Sequence, residues 1–526
     1  MSKKSDVEQF STQLSAQIWG HRFKDGQKGP EYALEFLNVL SGAQYKLDAN
    51  NYKRKKSTKL RKFIFEGEKE GAQDGVVSLT PEEKQHLYEM ASDREQISVI
   101  REFFRNLEVP LHDGKGKEAN RSWYAKTLYP LHESLLFFEV RSKKGEAEPA
   151  YERNFFARGG ELYFLMLGYG TDDDLVLREK IETRLQFLLQ RNKQIDNIVS
   201  KLTGKLDKEE QEKKVLYPLR KVDESTKEYP YLPVTDDPIY REFAKEFEQL
   251  ISLNIDIYEM FELMTSLITF QLSRYMLHRA NDSGSNKVTH FFDCLDGQLA
   301  PIQTLSGRSF SENELLIKNK FESFFENIFN EKMQSEEYVK TQLPIWKENP
   351  DDFLEYLGLK RLSKVRKNKV IKVLEKCDNY DDLSTKLYSV VKDIISDQLK
   401  KHQLNIVRGL TRDGGFGGYK AGSKYRYFMT DNFLQVLVYI VVKPKESMEF
   451  NKFLEVIFDK FGFIIGEVEA RRDGIYEKSR INISYFQRNE YALREKLRHN
   501  GLLVEYSDAT AMIRNPYEAA EVQVVK

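Results

Sequence analysis

Apolar residues recur along this chain at helical spacing far more often than they alternate. From Pro238 to Ala280 the pattern is longest, with Phe243, Phe247, Leu250 and Ile251 spaced for one helical face. Start signals carry the same message. Thr80-Pro81-Glu82-Glu83 sets a cap, a first-turn proline and two acids in order. Pro30 opens a helix to about Leu40, and Asp172-Asp173-Asp174 precede one with Leu175, Ile181, Leu185, Leu188 and Leu189 on its apolar positions. Ser311 and Glu314 match a capping box for a helix from about Ser309 to Phe329, and Asn349-Pro350-Asp351-Asp352 starts another. Trp123 to Glu139 reads as an apolar, aromatic helix. Phe155 to Gly168 reads as a buried segment. Strands are expected mainly after residue 463.

The C-terminal quarter is the most definite. Thr430 or Asp431 caps a helix to Val442, and a second runs from about Glu449 to Lys460 and stops at Gly462. A third runs from about Gln487 to His499, with Asn500-Gly501 as its stop. Leu502 to Glu505 and Thr510 to Ile513 alternate like a hairpin around Ser507-Asp508. Helix, helix, helix, hairpin is the order of a winged helix-turn-helix. The expectation is therefore a mainly α protein, α+β overall, in three parts. These are an N-terminal helical domain with a basic loop (1–150), a central helical domain (151–400) and a winged-helix-like domain (401–526).

Composition narrows the function classes. Lys+Arg and Asp+Glu are both 82, so net charge is zero and any nucleic-acid contact must come from local patches. Cys294 and Cys377 are too few for a disulfide framework or a cysteine zinc ribbon, which fits a reducing cytoplasm. The N-terminal segment has no apolar core of a secretory signal. The stretch from Ile255 to Leu277 is interrupted by Asp256, Glu259, Glu262, Gln271 and Arg274, so it reads as a buried helix and no membrane partner is expected.

Three local features are candidates for chemistry. The glycine-rich segment from Arg408 to Tyr427 sets Arg408, Arg412, Lys420, Lys424 and Arg426 against one acid, with aromatics between. Glycines let backbone approach a ligand closely, and cations with aromatics suit phosphates and bases. The competing reading is a flexible loop. Around Lys53, Arg54, Lys55 and Lys56 a basic run reads either as a solvated loop or as a phosphate-contacting arm. On the third C-terminal helix, Arg494 and Arg498 share a face beside Leu493 and Leu497, with Glu490 and Glu495 opposing them. A merely wet helix face is the alternative there.

Enzyme signals are weaker. His290, Asp293, Cys294 and Asp296 form a cluster able to ligate a metal, yet Phe291 to Leu295 also alternates like a buried strand. The glycine-rich segment lacks the Gly-Lys-Ser/Thr ending of a P-loop, and no βαβ unit follows it. There is no Gly-x-Ser-x-Gly and no His-Glu-x-x-His. Ala470-Arg471 follows Glu467-Val468-Glu469 where a nuclease would want a lysine. No cofactor is expected.

The stretches Phe433-Leu434 through Phe453-Leu454, Phe461 to Ile465, Leu493 to Leu497, Gly501-Leu502-Leu503, Ser507-Asp508-Ala509 and Asn515-Pro516-Tyr517 resemble the tails of uncharacterised bacterial proteins. Those proteins are similar to accessory subunits encoded beside large ATPases or DNA-modification enzymes in phage-defence loci. The resemblance covers about the last hundred residues, with an echo at Trp19 to Leu40. It implies an anti-phage defence context, a subunit role, and other subunits as partners, an ATPase among them. The leading expectation is a non-enzymatic DNA-binding or scaffold subunit. The alternatives are a metal-dependent nuclease using His290, Asp293 and Asp296, and a protein–protein adaptor that does not bind DNA.

Overall fold

The periodic apolar runs fold as helices, and the protein is mainly α with a few short strands. The computed structural model describes residues 14–520 apart from 22, 24–25, 56, 70–75, 91–92, 113–115, 120, 139, 142–149, 152–157, 204–215, 221–228, 283–286, 358, 360–361, 420–423 and 508–509. Lys56, Lys420, the Ser142–Pro149 boundary and the hairpin tip at Asp508 lie outside the described residues or on their edge.

Helix α1 (Gly29–Gly42) packs on α2 (Gly159–Gly170), which is the buried segment expected up to Gly168. The approach is close enough to demand glycine. A Cβ on Gly160 would sit 2.4 Å from the Tyr32 carbonyl oxygen and 2.6 Å from the Phe36 nitrogen. The long run from Pro238 breaks at 252–256 into α3 (Pro238–Ile251) and α4 (Ile257–Ala280). Asp256 causes the restart: its carboxylate accepts from the Tyr258 and Glu259 backbone N–H groups.

Helix α4 is the centre of the molecule. It touches α1 and α3, and also α5 (Ala300–Met333), α6 (Tyr388–Asp413) and α7 (Asp431–Val441). From Leu263 to Ser273 it is buried on all sides, where a helix must satisfy its polar groups internally. Gln271 accepts from the Tyr163 hydroxyl at 2.6 Å and donates to Glu246 at 2.8 Å. Glu246 in turn meets Arg274 at 2.8 Å and Lys460 at 3.0 Å. No helix among the described residues is long and apolar enough to cross a membrane.

Two helix expectations need correction. Trp123 to Phe138, the described part of Trp123 to Glu139, is irregular apart from a short 3-10 turn at Glu133–Leu135, because Pro130 cannot continue a helix. It still buries Trp123, Leu128 and Leu135, in a separate cluster with the Thr58–Ile64, Arg94–Arg105 and Lys193–Thr203 helices. Helix α5 begins at Ala300 and not near Ser309, since Pro301 fits its first turn. Ser311 lies inside α5 and donates to the Gly307 carbonyl.

The glycine-rich segment is only partly a loop. Arg408 to Asp413 form the end of α6. Strand β1 (His290–Phe291) precedes α5; after α6, β2 (Gly417–Gly418) pairs antiparallel with β3 (Arg426–Tyr427). Gly415 turns the chain between α6 and β2 at φ +77°, where a Cβ would fall 2.2 Å from the Thr430 hydroxyl.

From Thr430 the observed order is α7, β4 (Ser447–Glu449), α8 (Phe450–Phe461), β5 (Phe463–Ile464), two short helices at Glu467–Arg472 and Ile475–Ser479, α9 (Ile483–His499), and the hairpin of β6 (Leu503–Ser507) and β7 (Thr510–Arg514). Strand β7 lies between β6 and β4, all antiparallel. Strand β5 pairs in parallel with β1, joining the C-terminal region to the middle of the chain. One contiguous buried cluster runs from Leu14 to Ile513, so the core is continuous across the expected boundaries at 150 and 400.

Candidate nucleic-acid interface

Helix α9 has one dry side and one wet side. Phe486, Asn489, Leu493 and Leu497 are buried. Asn489 fixes the helix: its side-chain amide donates to the Phe292 and Ile465 carbonyls at 2.8 and 2.9 Å, and its oxygen accepts from the Cys294 N–H at 2.8 Å. The opposite stripe holds Arg488, Tyr491, Glu495 and Arg498, at i, i+3, i+7 and i+10, with Gln487 and Arg494 beside it. Arg488 and Arg498 are exposed, and Tyr491 is 61% exposed. The Arg494 guanidinium, partly buried, lies 4.9 Å from the centre of the Phe450 ring. Arg498 pairs with Glu495 on the same face. Tyr506 on β6 is 74% exposed.

Other expected contacts are drawn inward. Arg426 is 2% exposed, with Nε 3.0 Å from Asp293 Oδ2. Arg54 donates to the Tyr52 hydroxyl at 3.1 Å, lies 4.0 Å from Glu161 and sits 4.0 Å over the Tyr217 ring. A buried guanidinium needs such partners to offset lost hydration, so both residues are interior ion-pair groups and not surface phosphate contacts. Arg408 and Arg412 line a small cavity with Lys28 and Tyr32. Lys424 is exposed just before β3. Lys53 and Lys55 are exposed at a strand pair, Asn51–Lys53 with Leu216–Pro218.

The acidic cluster is likewise committed. His290 packs against Tyr427 and Phe463, and burial, reinforced by Arg274, lowers its pKa to about 3, leaving it neutral. Burial raises the Asp293 pKa while Arg426 opposes the rise. Asp296 pairs with Lys496 at 2.9 Å. Among the described residues no three His, Cys, Asp or Glu side chains converge as a metal-holding group.

Of the sequence candidates, the fold thus keeps Arg494 and Arg498 together on α9 and sets Arg408 and Arg412 on one cavity. It sets Arg488 and Tyr491 on the outward side of the same helix, α9, neither chosen as a contact from the sequence. The i, i+3, i+7, i+10 spacing from Arg488 was the available signal. No family model, curated protein or solved structure matches this chain.

Proposed function

We propose that this protein is a non-catalytic subunit that binds duplex DNA through α9 and scaffolds the other members of an assembly. The observation that carries this reading is the connectivity α7-β4-α8-α9-β6-β7 with β7 central. It matches the element and strand order of a winged helix when residues 462–482 are taken as an insertion before the third helix. In that architecture the third helix enters the major groove and its outward side chains meet bases and phosphates. Here those side chains are Arg488, Tyr491, Arg494 and Arg498. The resemblance to accessory subunits supplies the anti-phage context and an ATPase as an expected partner. The nuclease reading has less support, because Asp293 is held by Arg426 and Asp296 by Lys496.

The test is a salt titration of duplex binding by the full chain and by the Arg488→Ala/Arg498→Ala variant. Each phosphate contact adds about −0.9 to the slope of log K against log salt, so losing two flattens it by about 1.8. Both residues are exposed, so the fold is expected to survive. Equal slopes remove α9 as the contact, and no binding by either protein favours the adaptor.

A further inference from the structure

We propose a second binding site, separate from α9, for a small phosphorylated molecule. It is the cavity of about 240 Å³ between the N-terminal end of α1 and the C-terminal turns of α6. Lys28, Arg408 and Arg412 line it together with Tyr32, Tyr425 and Gly409, and no carboxylate is among the described lining residues.

The two guanidinium groups are set in advance. Glu314 holds Arg408 through two contacts, Nε to Oε1 at 2.6 Å and Nη2 to Oε2 at 3.0 Å. Arg408 also lies 4.9 Å from the centre of the Tyr425 ring. Asp413 holds Arg412 at 2.7 Å through one oxygen and accepts the Gly29 N–H at 2.9 Å with the other. Neither carboxylate lines the cavity, so each steers its arginine from outside. Each carboxylate takes the Nε–Nη2 edge of its guanidinium, so a phosphate oxygen would be met by the N–H donors that remain, and Lys28 adds a point charge.

Gly409 is the second, independent sign. It lies inside α6, where glycine weakens a helix relative to alanine. Packing does not require it, since a Cβ there would meet nothing within 4 Å. What glycine does at this position is keep the cavity open. The volume is below the roughly 300–1,000 Å³ of drug-sized pockets. The ligand is therefore small, in the range from phosphate to pyrophosphate or a sugar phosphate.

The experiment is calorimetric titration of the full chain with inorganic phosphate, pyrophosphate and sulfate at constant ionic strength. One site per chain is expected, with pyrophosphate or phosphate bound about tenfold more tightly than sulfate. Gly409→Leu, whose Cβ has no neighbour within 4 Å and whose longer side chain would occupy the cavity, is expected to weaken binding about tenfold with an unchanged circular dichroism spectrum. Lys28→Ala, at the helix entrance, is the second variant, expected to cost about threefold or more. The Arg488→Ala/Arg498→Ala variant keeps wild-type affinity for the phosphates. Absence of one-site binding, equal affinity for sulfate, unchanged affinity in either cavity variant, or a loss in the α9 variant overturns the proposal.

Discussion

Replacing Asn489 by leucine removes three hydrogen bonds while keeping the side chain close in size. The Phe292 carbonyl, the Ile465 carbonyl and the Cys294 N–H each lose the partner they have here. Leaving a buried polar group unsatisfied costs about 1–3 kcal/mol, so three cost about 3 kcal/mol at the least and roughly twice that if none relaxes. The damage is local, at the junction of α9 with β1 and β5. In a chain of this size a single unfolding free energy is not well defined, so the assay should be residue-resolved hydrogen exchange. Loss of about 3 kcal/mol corresponds to exchange at Cys294 and its strand neighbours faster by roughly a hundredfold. Tyr491→Ala, on the exposed side of the same helix, is the control and should change stability by less than about 0.5 kcal/mol. Unchanged protection in the leucine variant, or an equal effect from Tyr491→Ala, would falsify the clamp.

Three further outcomes follow from the interior. Arg426→Met leaves Asp293 buried without its ion-pair partner and should destabilise that region by about 3–5 kcal/mol, with much recovered in Arg426→Met/Asp293→Leu, as hydrogen exchange around β1 and β3 in the three proteins would show. Gly409→Ala should raise the local stability of α6 by about 0.8–1 kcal/mol in hydrogen exchange, because no neighbour crowds the new methyl; lowered protection contradicts the open-space geometry. Burial, then the nearby Glu161, raises the Glu35 pKa to about 7 from 4.5, with Gly160, Gln27 and Arg54 opposing. The folded state then holds a proton that the unfolded state releases, so stability falls as pH rises from 4.5 to about 7. Glu35→Gln should flatten that fall, and an unaltered pH profile would remove Glu35 as its source.

Elements were legible where periodicity and caps agreed. The three C-terminal helices and the hairpin lie within a few residues of their expected ranges, because Thr430, Gly462 and Asn500-Gly501 mark their ends locally. Pro130 was a local signal against a helix over Trp123–Glu139, but the apolar content outweighed it in the reading. Side-chain fate was much less legible. Arg426 and Arg54 look like surface cations in sequence, and what draws them inside are Asp293 and Glu161, each more than a hundred residues away. The same holds for Asn489, whose partners Phe292, Cys294 and Ile465 follow closely on β1 and β5. Charge in a sequence says that a cation exists; burial depends on a carboxylate that only the fold brings near. The placement of residues 462–482 was unreadable for a related reason, since their strand pairs with His290–Phe291 and not with a neighbour in sequence.

The 197 residues between Phe292 and Asn489 also impose a timetable on synthesis. A ribosome adding about 5–20 residues per second takes roughly 10 to 40 s to cover that distance. During that interval Phe291, Phe292 and Cys294, all shielded in the finished protein, wait for a strand partner until Tyr427 and then Phe463–Ile464 are made, and for the clamp until Asn489 is made. An apolar strand with an open edge is a template for the wrong partner. The nascent chain therefore carries a sticky segment mid-way along its length, and a chaperone that masks residues 288–296 would act in that interval and be displaced when α9 emerges.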